Sequence, residues 1–229
     1  MKKILTVVAV LGMTTQAMGG DITGKVVFEG KAPAPTRLRM DADKVCARIH
    51  TTPVMSEEVV VNKNGTLKNV LVYVKDGLGG KKFDPPKEKA VLDQIGCVYK
   101  PHVLGIMVGQ ELEILNSDPT LHNVHSLSKA NPKFNVAMPM KGMKLNKKFD
   151  KVETFKVKCE VHPWMGAYIG VFNHPYFAVT DDNGNYTIKG LPAGEYTIET
   201  WHEKYGTQTM KVAVGATDKK TADFKYAGK

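Results

Sequence analysis

Residues 158–166 read KCEVHPWMG, and the rest of the chain is organised around this stretch. It offers a thiolate from Cys159, an imidazole from His162 and a thioether from Met165, with two residues between successive donors. Soft sulfur donors favour Cu(I), and imidazole is acceptable to either oxidation state of copper. The stretch therefore predicts three of the four ligands of a one-electron copper site.

The fourth donor, a second histidine, is expected from another strand. The run NSDPTLHNVH at residues 116–125 supplies it. Before the cysteine, Phe155, Val157 and Cys159 alternate with lysines, which predicts a strand that turns these three side chains into the core. Residues 167–172 predict the next strand, so the donor loop closes a hairpin.

This constellation resembles the cupredoxins, most closely those of the amicyanin and plastocyanin type. The shared features are the strand QELEILN at residues 110–116, the HNVH run at residues 122–125 and the closing Cys-x2-His-Pro-aromatic-Met at residues 159–165. The stretch MKGM at residues 140–143 is also similar to a Met- and Lys-containing stretch of that family. The resemblance covers roughly Lys89 to Asn173 and implies a Greek-key β-sandwich.

Carried over residue by residue, the resemblance implies a single type 1 copper ion. It makes His122, Cys159 and His162 the equatorial ligands and Met165 the axial ligand. It also implies that Asn123 ties the two ligand loops together by hydrogen bonding.

The resemblance further implies that one edge of His162 faces solvent. The apolar rim formed by Pro163 and Trp164 would then be the exit for electrons.

Other interpretations of the donor residues remain open at this point. Zinc also binds His and Cys, although a closed structural zinc site prefers four strong ligands. A lone buried Cys is most often a small core residue. A nucleophilic role for Cys159 is disfavoured because nothing indicates an oriented base or an oxyanion pocket.

The start of the chain predicts export. Residues 1–13 combine two early lysines with a short apolar run, and small residues follow, which is typical of a signal peptide over residues 1–19. No later stretch is apolar enough to span a bilayer. We expect a periplasmic or secreted protein with no integral membrane segment after cleavage.

The three cysteines divide in a way that fits an oxidising compartment. If Cys159 holds metal, Cys46 and Cys97 remain, and a disulfide between them is the favoured interpretation. The alternatives are that Cys97 is a buried thiol, or that Cys97 and His102 belong to a second metal site.

The formal net charge is +9, carried mostly by scattered lysines. Such a surface is suited to steer the protein toward an acidic redox partner. The expected partner is a c-type cytochrome, a dehydrogenase or an oxidase. Nucleic acid is disfavoured, because no recognition motif is present.

The tail has a pattern of its own. Residues 180–188 read TDDNGNYTI and residues 191–198 read LPAGEYTI, two strands with tight turns. They resemble the carboxypeptidase regulatory-like β-sandwich, a transthyretin-like fold. The opening strand of that family looks like ITGKVV at residues 22–27, far upstream.

The predicted fold class is therefore all-β, a cupredoxin-like sandwich combined with a second, regulatory-like sandwich. We expect the copper unit to be inserted between two parts of the second sandwich. The predicted division is signal peptide 1–19, N-terminal β segment 20–88, copper domain 89–173 and regulatory-like portion 174–229.

Some local features allow two interpretations. Met138, Met140 and Met143 favour an apolar patch beside the site over Cu(I) capture. The pair His202–Glu203 favours a surface pair at a strand end over support for a metal ligand. Val59–Val61 predicts a short strand, and residues 41–50 predict a short helix around Cys46.

The function predicted from these observations is electron carriage rather than catalysis, with one copper ion as the cofactor. The alternatives are a copper-binding or delivery protein, and a structural β-sandwich module whose copper site is vestigial.

Overall fold

The computed structural model describes residues 19–228, and within them the predicted all-β fold is confirmed. Only two short helical turns interrupt the strands, a 3-10 turn at Met40–Ala42 and α1 at Lys44–Ile49. In chain order the strands are β1 (Gly20–Glu29), β2 (Leu71–Asp76), β3 (Ala90–Gln94), β4 (Tyr99–Lys100), β5 (Val103–Met107), β6 (Leu112–Asn116), β7 (His122–Ser126), β8 (Asn135–Met138), β9 (Lys144–Lys147), β10 (Glu153–Lys158), β11 (Gly166–Phe172), β12 (Phe177–Val179), β13 (Asn185–Leu191), β14 (Gly194–His202), β15 (Gly206–Val214), β16 (Lys219–Thr221) and β17 (Phe224–Ala227).

Strands from both ends of the chain share one sandwich. One sheet has the order β13-β1-β16, with β17 also paired to β1, and the other has the order β12-β2-β14-β15. Alternate residues of β1, among them Ile22, Val26 and Phe28, are buried between the sheets. This alternation is what a strand with one solvated face produces.

Strands from the middle of the chain form the second sandwich. One sheet has the order β5-β11-β10-β7-β8 and the other β4-β3-β6-β9. Phe155, Val157 and Cys159 are buried in its core, as their alternation predicts. A smaller cluster around Leu71, Val103 and Phe172 joins the two sandwiches.

The segment of residues 36–56, which we call the cap, lies outside both sandwiches. Its base is closed by backbone hydrogen bonds from Ser56 to Thr36 and from Leu38 to Val54. Inside it, the Asp43 side chain accepts hydrogen bonds from two backbone N–H groups and thereby caps α1. The Cys46–Cys97 disulfide ties the cap to the middle of the chain.

Some of the sequence predictions have a different outcome. Val59–Val61 is not a strand; Val61 makes an isolated bridge to Leu67. The predicted signal peptide, apart from Gly19, lies outside the described residues. Between residues 19 and 228 no helix has the length and apolar character needed to cross a membrane. The division at residues 88/89 and 173/174 stays a prediction.

His202 is not the surface residue that its position at a strand end predicts. It is 1% exposed, its Nδ1 accepts the Lys204 N–H at 3.1 Å, and its ring packs against Tyr205. Burial, and secondarily the nearby charges of His102 and Lys204, lower the pKa of His202 to about 4.

This buried histidine predicts loss of stability in acid. An unfolded histidine binds a proton near pH 6.5 but His202 in the fold only near pH 4, so the unfolded state gains stability as the pH falls through this window. At pH 4.5 the penalty is roughly 2 to 3 kcal/mol. Urea unfolding at pH 7 and pH 4.5 is expected to show a smaller acid-induced loss in His202→Gln. The half-buried His125→Gln should lose as much as the parent, and equal losses in both variants would contradict the prediction.

Candidate metal centre

The loop between β10 and β11 is held tight by its own hydrogen bonds. The Cys159 N–H donates to the Met165 carbonyl at 3.2 Å, and the Met165 N–H donates to the His162 carbonyl at 2.9 Å. The His162 N–H points at the Cys159 sulfur at 3.4 Å. Three potential donor side chains are thereby fixed on one short turn.

His122 is brought to this loop by strand pairing. It is the first residue of β7, and β7 is hydrogen-bonded to β10, with His125 opposite Lys158. His122, Cys159, His162 and Met165 are all 2% exposed or less. The four residues predicted from the sequence therefore lie buried at one end of the same sandwich.

Three donor atoms converge there. The Nδ1 atoms of His122 and His162 are 3.1 Å apart, and the Cys159 sulfur lies 3.9 Å from Nδ1 of His162. Ligand atoms of all three residues lie within 4.8 Å of one another. Two imidazole nitrogens and a thiolate form a donor set that fits copper, and Met165 packs in the same core cluster as Cys159.

His122 is oriented by a buried carboxylate. Its Nε2 lies 2.8 Å from an oxygen of Asp118, which leaves Nδ1 to face the cluster. The two oxygens of Asp118 also accept the backbone N–H groups of Gly96 and Cys97, both at 2.7 Å. These two residues have positive φ angles, 68° and 54°, which turns both N–H groups toward the same carboxylate.

The electrostatics of the cluster favour a thiolate. Burial by itself raises the pKa of Cys159, but hydrogen bonds from His122, His162 and the loop backbone outweigh it and lower the pKa to about 6. Burial lowers the pKa of His122, and the partners Asp118 and Cys159 more than offset this and raise it to about 8. The metal-free protein therefore holds a thiolate ready to bind a metal at neutral pH.

Asp118→Asn tests the orientation of His122. An amide offers one acceptor where three N–H groups now meet a carboxylate, so we expect the imidazole to lose its fixed orientation. Loss of such an outer partner typically costs about 10- to 100-fold in metal affinity, which a competition titration with a chelator would measure.

The matched control is Asp181→Asn. Asp181 also accepts two backbone N–H groups, from Asn183 and Asn185, but it lies in the other sandwich. It should alter stability without altering metal affinity. Equal affinities of parent and Asp118→Asn would show that Asp118 does not position the ligand.

The expectation of a solvent-facing edge at His162 is wrong. His162 is 2% exposed, and its Nε2 lies 3.6 Å from the sulfur of Cys46 and 3.4 Å from a carboxylate oxygen of Asp43. Both residues belong to the cap. The disulfide holds the cap over the imidazole, so the ligand edge is covered by protein.

Asn123 links the two ligand loops, as the resemblance implies. The Asn123 side-chain oxygen accepts the Glu160 N–H at 3.2 Å, which links β7 to the donor loop. His125 does not join the cluster; it pairs with Glu160 at the surface. Met138 is fully buried and Met140 is 64% exposed, so the three methionines do not form one outward patch.

Sequence reasoning missed Asp118, Asp43 and the cap. Asp118 had a detectable signal, a carboxylate four residues before a candidate ligand histidine. Asp43 had none, because it meets His162 only through the tertiary fold. His102, considered above as a partner of Cys97 in a second metal site, pairs instead with Glu203, and Cys97 is bonded to Cys46.

Comparison with models of known protein families returns a match to part of the chain. The sequence model of the carboxypeptidase regulatory-like domain matches residues 162–227. No curated protein matches the chain.

Solved structures with similarity to the chain include three copper proteins. A purple cupredoxin from Nitrosopumilus maritimus is 24% identical, with 36% of this chain and 98% of that one covered and a TM-score of 0.32. The Cu(I) form of an amicyanin mutant is 20% identical, with 44% and 97% covered and a TM-score of 0.33. A copper-containing nitrite reductase from Thermus scotoductus SA-01 is 23% identical at a TM-score of 0.34; 42% of this chain is covered, but only 25% of the reductase. The matching family model is thus that of one of the two families that the sequence resembles, and the three structures are titled as copper proteins or as a cupredoxin.

Proposed function

We propose that the chain is an exported type 1 (blue) copper protein that carries single electrons between periplasmic redox partners. The observation that supports this most directly is the convergence of ligand atoms of His122, His162 and Cys159 within 4.8 Å, with the two Nδ1 atoms 3.1 Å apart. Together with the thioether of Met165, these are the donor types of a type 1 site. When bound, copper would supply the one-electron chemistry.

The protein side of this function is positioning and exclusion of water. Asp118 fixes one imidazole, the loop hydrogen bonds fix the thiolate, and the cap covers the other imidazole. A donor set held in place before the metal binds changes little between oxidation states, which is what an electron carrier requires. Four protein ligands would leave no open position for a substrate, which favours a carrier over an enzyme.

The visible and EPR spectra of the copper-loaded protein test the proposal. An intense visible charge-transfer band from the Cys159 thiolate is expected, and it should bleach on addition of one electron per copper. A copper-loaded protein that stays colourless would overturn the proposal.

The partner is proposed to be acidic and to be a c-type cytochrome, a dehydrogenase or an oxidase. The formal net charge of +9, which falls to about +7 once Lys2 and Lys3 leave with the predicted signal peptide, supports steering of such a partner. The rate of electron exchange with a purified candidate should fall as the ionic strength rises, because exposed charges are screened. A rate independent of salt would exclude charge steering.

Copper delivery through the methionines is the weaker alternative. Met138 is buried and accepts a hydrogen bond from Gln94, so it is not available at the surface. A variant with Met138, Met140 and Met143 changed to Leu is expected to keep its Cu(I) affinity. A large loss of affinity would favour delivery.

A further inference from the structure

A cavity of about 530 Å³ lies directly beside the metal centre. Its wall includes the end of the donor loop, from Pro163 to Gly166, together with part of the cap, the start of the second sandwich and the turn after β14. This volume is in the range of small-molecule binding sites, about 300 to 1,000 Å³. Met165, the proposed axial ligand, lines the cavity, whereas His122, Cys159 and His162 do not.

The wall of the cavity suits a flat ring. Trp164 and Tyr168 contribute aromatic surface, and Val98 and aliphatic side chains of the cap complete it. Trp164 is held in place, because its Nε1 donates to the Cys97 carbonyl at 3.0 Å. Its ring centroid is 5.0 Å from that of His162, so an occupant of the cavity lies one side chain from a predicted copper ligand.

A hydroxyl group would find a partner in the same wall. His102 and Glu203 line the cavity and form a hydrogen bond with each other, and their side chains are only 11% and 10% exposed. A sparsely hydrated His–carboxylate pair both accepts and donates hydrogen bonds. Neither residue contacts the metal donors in the structure, so the metal centre does not explain their pairing.

Two lysines of the wall are available to an anion. Glu57 and Glu58 lie within 4.0 Å of the ammonium groups of Lys68 and Lys204, and Glu203 is hydrogen-bonded to His102. Lys158 is neutralised by Glu160. By contrast, within residues 19–228 no carboxylate lies within 4.0 Å of the ammonium groups of Lys100 and Lys156, which also line the cavity.

We propose that this cavity binds a small aromatic molecule that carries a hydroxyl group and an anionic group, the hydroxybenzoate class. The ring packs against Trp164, the hydroxyl group bonds to the His102–Glu203 pair, and Lys100 and Lys156 attract the anionic group. Binding does not depend on copper and does not rest on the proposed function.

Calorimetric titration of the metal-free full chain with 4-hydroxybenzoate tests the assignment. Saturable binding with one site is expected. Benzoate, which lacks the hydroxyl group, and phenol, which lacks the anion, should each bind about tenfold more weakly or worse, since a hydrogen bond to a charged group contributes about 1.5 to 3 kcal/mol. Absence of saturable binding, or equal affinity for the three compounds, would overturn the proposal.

Two pairs of variants locate the site. His102→Phe should weaken binding of 4-hydroxybenzoate about tenfold or more, whereas His125→Phe, which removes the other His–Glu pair outside the cavity, should not. Lys156→Gln should weaken it while the exposed Lys144→Gln does not. Glu203→Gln provides a conservative change if His102→Phe unfolds. Losses of similar size in test and control variants would refute the assignment.

A second readout keeps this inference separate from the proposed function. Quenching of Trp164 fluorescence should accompany binding in the metal-free protein and be lost in Trp164→Leu. If the copper-loaded protein proves colourless but the titration saturates, the electron-carrier proposal fails and the cavity assignment stands. If the copper-loaded protein is blue but the titration shows no saturable binding, the cavity assignment fails and the electron-carrier proposal stands.

Discussion

A Cys159→Ser variant loaded with Cu(II) is expected to lack the intense visible band entirely. The band requires charge transfer from a thiolate, and Cys159 is the free cysteine of the described residues because Cys46 and Cys97 are bonded to each other. A hydroxyl group is a poor ligand for Cu(I) in comparison with a thiolate. We therefore expect a loss of affinity well beyond the about 10- to 100-fold loss that follows removal of an outer partner.

The measurement combines absorption spectra, chelator competition and thiol counting. The unfolded parent should contain one titratable thiol and Cys159→Ser none. Met165→Leu is the matched comparison, since it removes the weak axial donor from the same loop and should shift the band without abolishing it. A band that persists in Cys159→Ser would mean that the thiolate is not a ligand, and the proposed function would fail with it.

Removal of the disulfide is expected to produce the second large effect. Cys46 and Cys97 are separated by 51 residues, and closing a loop of this length stabilises the fold by roughly 4 kcal/mol in the chain-entropy description. The bond also holds the cap against Nε2 of His162. A Cys46→Ser/Cys97→Ser variant should therefore unfold at lower denaturant concentration and release copper to a chelator roughly tenfold faster or more.

Two control variants separate protection of the metal centre by the cap from stabilisation of the fold by the disulfide. Arg48→Ala changes an exposed residue of α1 and should leave both stability and copper release unchanged. Asp43→Asn keeps the disulfide but weakens the other contact of the cap with His162, and it should speed release by a smaller factor. If the disulfide variant loses stability but releases copper at the parental rate, the cap does not protect the site.

The part of the site that could be predicted from sequence is the part encoded locally. The alternation of Phe155, Val157 and Cys159 fixes which side chains enter the core, because neighbouring residues of a strand point to opposite faces. The spacing of Cys159, His162 and Met165 places them on one turn. His122 came from resemblance, and strand pairing brings it to the other donors as that resemblance implies.

The surroundings of the site could not be predicted because they depend on distant contacts. The contact between Cys46 and His162 joins residues 116 positions apart, and no periodicity in either segment encodes it. The resemblance misled at this point, since the cap lies outside the region that resembles cupredoxins. The His102–Glu203 pair likewise joins residues 101 positions apart.

Val59–Val61 shows the limit of β propensity. Three consecutive valines favour a strand, but the segment makes only one isolated bridge, between Val61 and Leu67. Propensity describes the fit of a side chain to a pleated surface, and a segment without a partner strand has no such surface.

The pairing of β1 affects when its sheet can form during synthesis of the chain. β1 is hydrogen-bonded to β13, β16 and β17, and the Lys25 N–H bonds to Asp223, 198 residues later. β1 is therefore synthesised long before its partner strands, while the donor-bearing strands between them already have each other as partners. A nascent chain stalled before residue 219 would leave one edge of β1 without its neighbour, and such an open edge is a template for aggregation.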